Sequence, residues 1–185
     1  MRKVFVSAIA LLLLLGRCPS SDAKNLYKAF KHYPTVKIYL GDVVNNSGSD
    51  NVSVDEFRRV FQEVVKGRIN MNFAIVSNPK DADVVITADI KRYSYQKRAL
   101  PSFTSGYAFV ADVTAPKSNT KLVVDYTLTN PNTGEVLMAL KNFTTVDRQR
   151  QKEGTVKSVY LAAVTRSVSR MMFRAFYEPR PGDRV

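Results

Sequence analysis

The 185-residue chain has a single cysteine, a single histidine and few acidic residues. One cysteine excludes a disulfide within the chain, so the fold must depend on its hydrophobic core. His32 has no obvious partner in the sequence, and we predict a solvated side chain rather than a general base. Basic residues number 28 against 16 acidic ones, which gives a net charge of +12. This charge favours anionic partners or a solvated basic surface.

Long apolar runs are also scarce, and the only one lies near the N-terminus. Arg2 and Lys3 precede residues 4–15, which are apolar except for Ser7. A short positive segment followed by such a run is typical of a secretory signal. The run is shorter than the roughly 20 residues that span a bilayer as a helix. We therefore predict an exported chain without a membrane-spanning helix.

Two cleavage sites compete at the end of this signal. The stretch "LGRC" resembles the lipobox of bacterial lipoproteins, with Arg17 where a small residue is usual. Cleavage there would leave Cys18 as the first residue, acylated with palmitate-type chains that hold the domain on a membrane. The stretch "SDA" is the second site. Cleavage after it would leave a soluble chain that starts at Lys24 and has no cysteine.

The rest of the sequence predicts one domain of the α+β class. Alternating apolar and polar residues predict strands, and apolar residues on one helical face predict two helices. The first helix follows the capping box "SVDE", which starts at Ser53. The second runs from about Thr155 to Tyr177. The stretch "NPNTG" indicates a hairpin turn, and "YAFVADV" is a further strand or an edge segment.

These elements predict a two-layer sandwich, in which a mainly antiparallel sheet of four to six strands carries two helices on one face. Such an arrangement buries the apolar stripes of both helices. The predicted segments are a signal peptide at 1–17, a lipid-anchored tether at 18–34, a single α+β domain at 35–177 and a disordered tail at 178–185.

Catalytic and metal-binding motifs are missing from the sequence. There is no nucleophile elbow, phosphate-binding loop or dinucleotide fingerprint. Asp81 and Asp83 are the one pair of carboxylates that a hydrolase could use, and we interpret them as turn and strand-start residues. We therefore expect no enzyme activity, no cofactor and no metal.

Basic and aromatic residues instead predict a binding surface on the long strand after Asp83. The alternation of the strand predicts that its non-core face holds Thr87, Asp89, Lys91, Tyr93, Tyr95 and Lys97. Cations on such a face bind phosphates and phenol rings cover acyl or sugar surface, although a solvated sheet face has the same composition. The candidate contact residues on this strand are Lys91, Arg92, Tyr93, Tyr95 and Lys97.

A second candidate surface lies on the last predicted helix. Arg166, Arg170 and Arg174 are spaced four residues apart, so their like charges repel one another. We expect a neighbouring subunit, a ligand or carboxylates of the sheet to offset this repulsion. Alternatively, the arginine stems cover apolar surface and their charged ends lie in water.

Three features together resemble a known family. The first strand ends in "NNSG" before a helix, "DADVVITADI" forms a strand, and "LTNPNTGEVL" forms a hairpin that precedes the final helix. Over residues 35–176 this pattern looks like the βα-sandwich lipoproteins of the Gram-negative envelope. They include the lipopolysaccharide-assembly lipoprotein LptE and the secretion lipoproteins CsgG and PelC.

The resemblance implies a non-enzymatic lipoprotein on the periplasmic face of the outer membrane. An LptE-like protein would bind an outer-membrane β-barrel and contact an anionic glycolipid, here through Lys91, Arg92 and Lys97. A CsgG- or PelC-like protein would be a subunit of a secretion ring. The alternative is a secreted, soluble binding protein for an anionic polymer or glycolipid. We rank nucleic acid last, because the signal directs the chain out of the cytoplasm.

Overall fold

The computed structural model describes residues 25–67, 71–97, 117–150 and 156–177. The predicted signal peptide, Cys18, the predicted tail and most of the stretch around "YAFVADV" lie outside these residues. The elements in chain order are α1 (Tyr27–Phe30), β1 (Val36–Asn45), α2 (Val54–Lys66), β2 (Phe73–Ile75), a 3₁₀ turn (Pro79–Asp81), β3 (Val84–Lys97), β4 (Lys117–Thr129), β5 (Val136–Arg150) and α3 (Val156–Phe176).

The sheet has five strands in the order β2-β1-β3-β4-β5. β1 pairs in parallel with both β2 and β3, because α2 carries the chain back from the end of β1 to the start of β2. The long strands β3, β4 and β5 are antiparallel. The predicted α+β two-layer sandwich is confirmed, with a mixed sheet whose longest pairings are antiparallel.

The helix α2 begins where the capping box predicted. The Ser53 hydroxyl accepts a hydrogen bond from the Glu56 N–H at 3.2 Å. The Glu56 carboxylate does not complete the box, since it pairs instead with Arg59 and with Lys157 of α3, whose Nζ lies 2.6 Å away. Glu56 therefore links the start of α2 to the start of α3.

The core lies between the two long helices and one face of the sheet. α2 contributes Phe57 and Phe61, which are fully buried against apolar residues of β1, β3 and β4. The hydroxyl of Tyr126 on β4 hydrogen-bonds to that of Ser167 on α3 at 2.9 Å. The Tyr160 hydroxyl donates to the Ser53 carbonyl at 3.0 Å. Within the described residues, none of the helices has the length and hydropathy needed to cross a bilayer.

The N-terminal residues 25–34 belong to the domain rather than to the predicted tether at 18–34. Leu26 and Phe30 of α1 are buried in the core. The Leu26 N–H donates to the Ala175 carbonyl at 2.8 Å. The apolar side chains of Leu26 and Phe30 explain why this segment packs on the domain. The folded domain therefore begins closer to Cys18 than predicted.

A bulge interrupts the edge strand β5 near its middle. Val124 pairs with Phe143 and Tyr126 with Leu140, so that two residues of β5 face Asp125 alone. One of them, Asn142, has φ 52°, a left-handed conformation that asparagine tolerates better than most residues. Its N–H donates to the Asp125 carboxylate. The contact with Asp125 fixes the position of the bulge.

Candidate functional site

A second bulge, in β3, changes which residues of this strand face solvent. Ile90 pairs with Val124 and Arg92 pairs with Val123, so that Lys91 is an extra residue on β3. An extra residue reverses the alternation of the side chains beyond it. The prediction of the exposed face from the sequence required an unbroken alternation along β3.

The prediction that Tyr93 and Tyr95 share the non-core face with the basic residues is therefore wrong. Tyr93 is 7% exposed and packs edge-to-face on Tyr160, with 5.4 Å between ring centroids. Burial raises the pKa of the Tyr93 phenol. Tyr95 is half-buried and packs against the core. Neither ring therefore belongs to the exposed face that carries Arg92. The side chain of Lys97 is not among those that the structure describes.

Lys91 and Arg92 remain exposed at the bulge. Lys91 Nζ lies 2.5 Å from an oxygen of Asp89, which also accepts a hydrogen bond from Asn46 at 2.9 Å. Burial alone would raise the pKa of Asp89, but the hydrogen bonds from Lys91 and Asn46 lower it below its usual value. Lys91 is therefore partly neutralised by its own strand, whereas Arg92 keeps its charge for other contacts.

Asp83 supports the start of β3, and Asp81 is the last residue of the 3₁₀ turn before it. An oxygen of Asp83 accepts the Lys37 N–H at 2.8 Å, and the Asp83 N–H donates to the Lys37 carbonyl at 2.8 Å. These bonds tie the start of β3 to β1. In the part of the chain that the structure describes, no three His, Cys, Asp or Glu residues are grouped so as to hold a metal.

Arg166 of α3 is held by the sheet. Its Nη1 lies 2.8 Å from an oxygen of Asp147 on β5 and 3.4 Å from the Val146 carbonyl. Asp147 is 3% exposed, whereas the Arg166 side chain is about half exposed. We expected a subunit, a ligand or a sheet carboxylate to offset the repulsion among the three arginines of α3. The carboxylate of Asp147 does so for Arg166.

The other two arginines of α3 form no ion pair with the described residues. The Arg170 guanidinium lies over the Phe143 ring, 5.7 Å from its centroid, which is a cation–π distance. Arg174 is exposed. Neither has a carboxylate within ion-pair distance among the described residues. Uncompensated positive charge therefore gathers in the C-terminal half of α3.

Two aromatic residues that sequence reasoning missed lie beside these arginines. Phe173 is 52% exposed and stacks on Tyr177, with 3.9 Å between centroids and 22° between the ring planes. The spacing could have revealed them, because Phe173 falls outside the buried stripe that continues through Met171 and Met172. Phe173 lies three residues after Arg170, and Tyr177 lies four residues further. These side chains share one exposed face of α3.

No family model matches the chain, and no curated protein matches its sequence. Several solved bacterial structures are similar. A PelC dodecamer from Paraburkholderia phytofirmans is 13% identical, with 74% of this chain and 88% of that chain covered and a TM-score of 0.45. A lipoprotein from Neisseria meningitidis is 12% identical, with 74% and 97% covered and a TM-score of 0.39. A minor lipoprotein from Acinetobacter baumannii is 11% identical, with 75% of this chain and 92% of that chain covered and a TM-score of 0.36. Values this low do not transfer a function.

Proposed function

We propose that this chain is a non-enzymatic lipoprotein of the bacterial cell envelope, anchored through Cys18 to the periplasmic face of the outer membrane. The observation that carries the proposal is the position of Cys18. It ends the export segment and lies seven residues before Asn25, where the described part of the domain begins. An extended chain spans at most about 3.5 Å per residue, so the anchor would hold the domain within about 25 Å of the bilayer.

The intact mass of the protein recovered from membranes tests the anchor. We expect a chain that starts at Cys18 and carries acyl chains, because a lipobox cysteine becomes the modified first residue. The variant Cys18→Ala should lose the acyl mass and leave the membrane fraction. An unmodified chain that starts at Lys24 would contradict the proposal. The soluble binding protein for an anionic polymer would then be the better interpretation.

Within this proposal we favour a role in glycolipid assembly at an outer-membrane β-barrel, as in LptE-like proteins. The outer face of the sheet supports it with three exposed cations. Arg92 pairs with Val123 in the register, and Lys121 lies two residues before Val123 on the same strand. Such diagonal neighbours lie roughly 7–8 Å apart. Together with Lys91, they offer positive charge at a spacing suited to a phosphorylated headgroup.

Reversing two of these charges tests the glycolipid role. We expect Lys91→Glu with Arg92→Glu to weaken lipopolysaccharide binding at least roughly tenfold, because each charge-assisted hydrogen bond contributes about 1.5–3 kcal/mol. Binding is measured by titration of purified protein with lipopolysaccharide. The matched control is Lys66→Glu with Lys80→Glu, which changes net charge equally. Unchanged lipopolysaccharide binding, or an equal loss in the control, would show that the outer face of the sheet is not the glycolipid site.

A subunit of an oligomeric secretion assembly is the second candidate, and β5 is the observation that favours it. In the described part of the chain β5 pairs with β4 only, although it is 15 residues long. An unpaired strand edge accepts a strand of another chain. A native mass that is a multiple of the chain mass would favour this candidate, and a monomer would favour the first.

A further inference from the structure

The two ends of the described domain meet on one surface. The Asn25 side-chain amide donates to the Tyr177 carbonyl at 2.7 Å, and the Leu26 N–H donates to the Ala175 carbonyl. Phe30 of α1 packs on Phe176 of α3, with 6.2 Å between ring centroids. The segment that leads from Cys18 therefore joins the domain at the C-terminal turn of α3.

Charge of one sign gathers at this junction. Residues 25–35 and 156–177 contain no aspartate or glutamate. At the far end of α3, Lys157 is paired with Glu56, and in its middle Arg166 is paired with Asp147. Within the described residues, four exposed cations near the junction have no ion-pair partner. They are Lys28, Lys31, Arg170 and Arg174.

Aromatic rings lie beside the two arginines of this set. The Phe173–Tyr177 stack is on the same face of α3 as Arg170 and Arg174, and half of Phe173 is exposed to solvent. The Tyr177 backbone is the same one that Asn25 binds. A helix face that carries basic residues beside aromatic ones is suited to the headgroup region of a bilayer, where the rings are shielded and the cations meet phosphates.

We propose that the junction face, formed by Lys28, Lys31, Arg170, Phe173, Arg174 and Tyr177, rests on the surface of an anionic phospholipid bilayer. Its orientation toward the membrane rests on the proposed function, since the acyl anchor at Cys18 would bring this face to the bilayer. Asn25 is the first described residue and lies seven residues after Cys18, so an anchor at Cys18 would keep the junction face close to the lipid.

The tether and the face would act together. The acyl chains would hold the domain near the bilayer, and a basic surface beside them would strengthen the attachment. Each cation near an anionic surface contributes roughly a fivefold gain in affinity. A tether alone would allow the domain to rotate freely, whereas contact through α1 and the end of α3 would fix one orientation and leave β5 and the outer face of the sheet for partners.

Vesicle binding of the exported Cys18→Ala protein tests the face without the acyl anchor. The probe is phosphatidylglycerol mixed into phosphatidylcholine vesicles, with pure phosphatidylcholine vesicles as the reference, in a sedimentation assay at low and high salt. We expect binding that depends on phosphatidylglycerol and weakens with salt. Arg170→Gln with Arg174→Gln should weaken it roughly 25-fold, at about fivefold per cation. Phe173→Ala should weaken it without a change in charge.

The matched control is Lys80→Gln with Lys141→Gln, which removes two exposed charges that belong to neither proposed binding surface. It should bind phosphatidylglycerol vesicles like the parent protein, and thermal unfolding checks that every variant is folded. Three results would overturn the inference: no binding to phosphatidylglycerol, an equal loss in the control, or self-association that Phe173→Ala abolishes. The mass measurement on the unsubstituted protein tests the anchor separately. If it finds no acyl chains while the vesicle assay finds binding, the anchor is refuted and the membrane-binding face is supported.

Stronger binding to soluble polyphosphate than to phosphatidylglycerol vesicles would also overturn the inference, because the face would then serve an anionic polymer. An equal loss of polyphosphate binding and vesicle binding on Phe173→Ala would also contradict the bilayer. A polymer in water cannot bury an aromatic ring as a bilayer does. Loss of vesicle binding alone on Phe173→Ala supports the bilayer.

Discussion

Replacing Phe176 with alanine is expected to lower the free energy of unfolding by about 3–5 kcal/mol. Phe176 is fully buried, and its ring lies 5.1 Å from that of Phe73 and 6.2 Å from that of Phe30, centroid to centroid. It therefore joins β2, α1 and α3 at one point, and alanine would leave a cavity between three elements. Urea denaturation, monitored by far-UV circular dichroism, measures the change.

The matched control is Phe173→Ala, which lies one helical turn earlier on α3. Phe173 is 52% exposed, and its main contact is the stack on Tyr177. Its loss should cost no more than about 1 kcal/mol. Equal destabilisation by the two variants would contradict the described packing. The same control also shows that any loss of vesicle binding by Phe173→Ala reflects the surface rather than unfolding.

The second large effect is a loss of stability at alkaline pH. Burial raises the pKa of Tyr126 and of Tyr160 well above the usual value of about 10. Both phenols therefore stay protonated in the folded chain at a pH where they ionise in the unfolded chain. The unfolded state then binds fewer protons, so stability falls as pH rises from about 10 toward the folded pKa values. Below about pH 10 this contribution is fully present.

Each buried phenol lowers the free energy of unfolding by about 1.4 kcal/mol per pH unit above pH 10. The two together should therefore remove about 3 kcal/mol by about pH 11. Urea titrations at several pH values measure this slope. Tyr126→Phe and Tyr160→Phe should each flatten it, at the cost of one hydrogen bond. Tyr33→Phe, at a residue that is 48% exposed, is the control and should leave the slope unchanged.

A slope that Tyr33→Phe reduces as much as Tyr126→Phe does would contradict this explanation. So would a slope that neither buried substitution changes, because the alkaline loss would then come from other groups. The hydroxyl bonds to Ser167 and to the Ser53 carbonyl persist while both phenols of the folded chain stay protonated. Up to about pH 11 their loss therefore lowers the free energy of unfolding by a constant amount and leaves the slope with pH unchanged.

The elements that the sequence predicted well are those with a strong local pattern. The stripe of Phe57, Val60 and Phe61 defined α2, and the Ser53 hydroxyl fixed its first residue. The turn between β4 and β5 was predicted from "NPNTG", where Asn130 accepts the Asn132 N–H and Gly134 has φ +69°. In each case, residues close together in the chain determine the structure.

The features that the sequence did not predict depend on residues far apart in the chain. The adjacent cations Lys91 and Arg92 move the apolar positions of the strand by one, from Ile90 to Tyr93, which is a weak local signal of a bulge. The pairing with β4 shows that the extra residue is accommodated there. The ion pair of Arg166 with Asp147 likewise requires the packing of α3 across β5. Without these contacts, the buried Tyr93 and the neutralised Arg166 both look like exposed binding residues.

The bulge at Asn142 also affects how copies of the chain could associate through β5. Among the described residues one edge of β5 has no partner strand, and the bulge interrupts it between Leu140 and Phe143. A second register shift, between Val136 and Met138, interrupts it again. A bulge twists a strand, so an invading chain cannot register with the whole edge at once. Stacking of many copies into fibrils needs long, flat and regular edges. The kinked edge can therefore accept one short or similarly bulged partner strand while resisting amyloid-like polymerisation at high concentration.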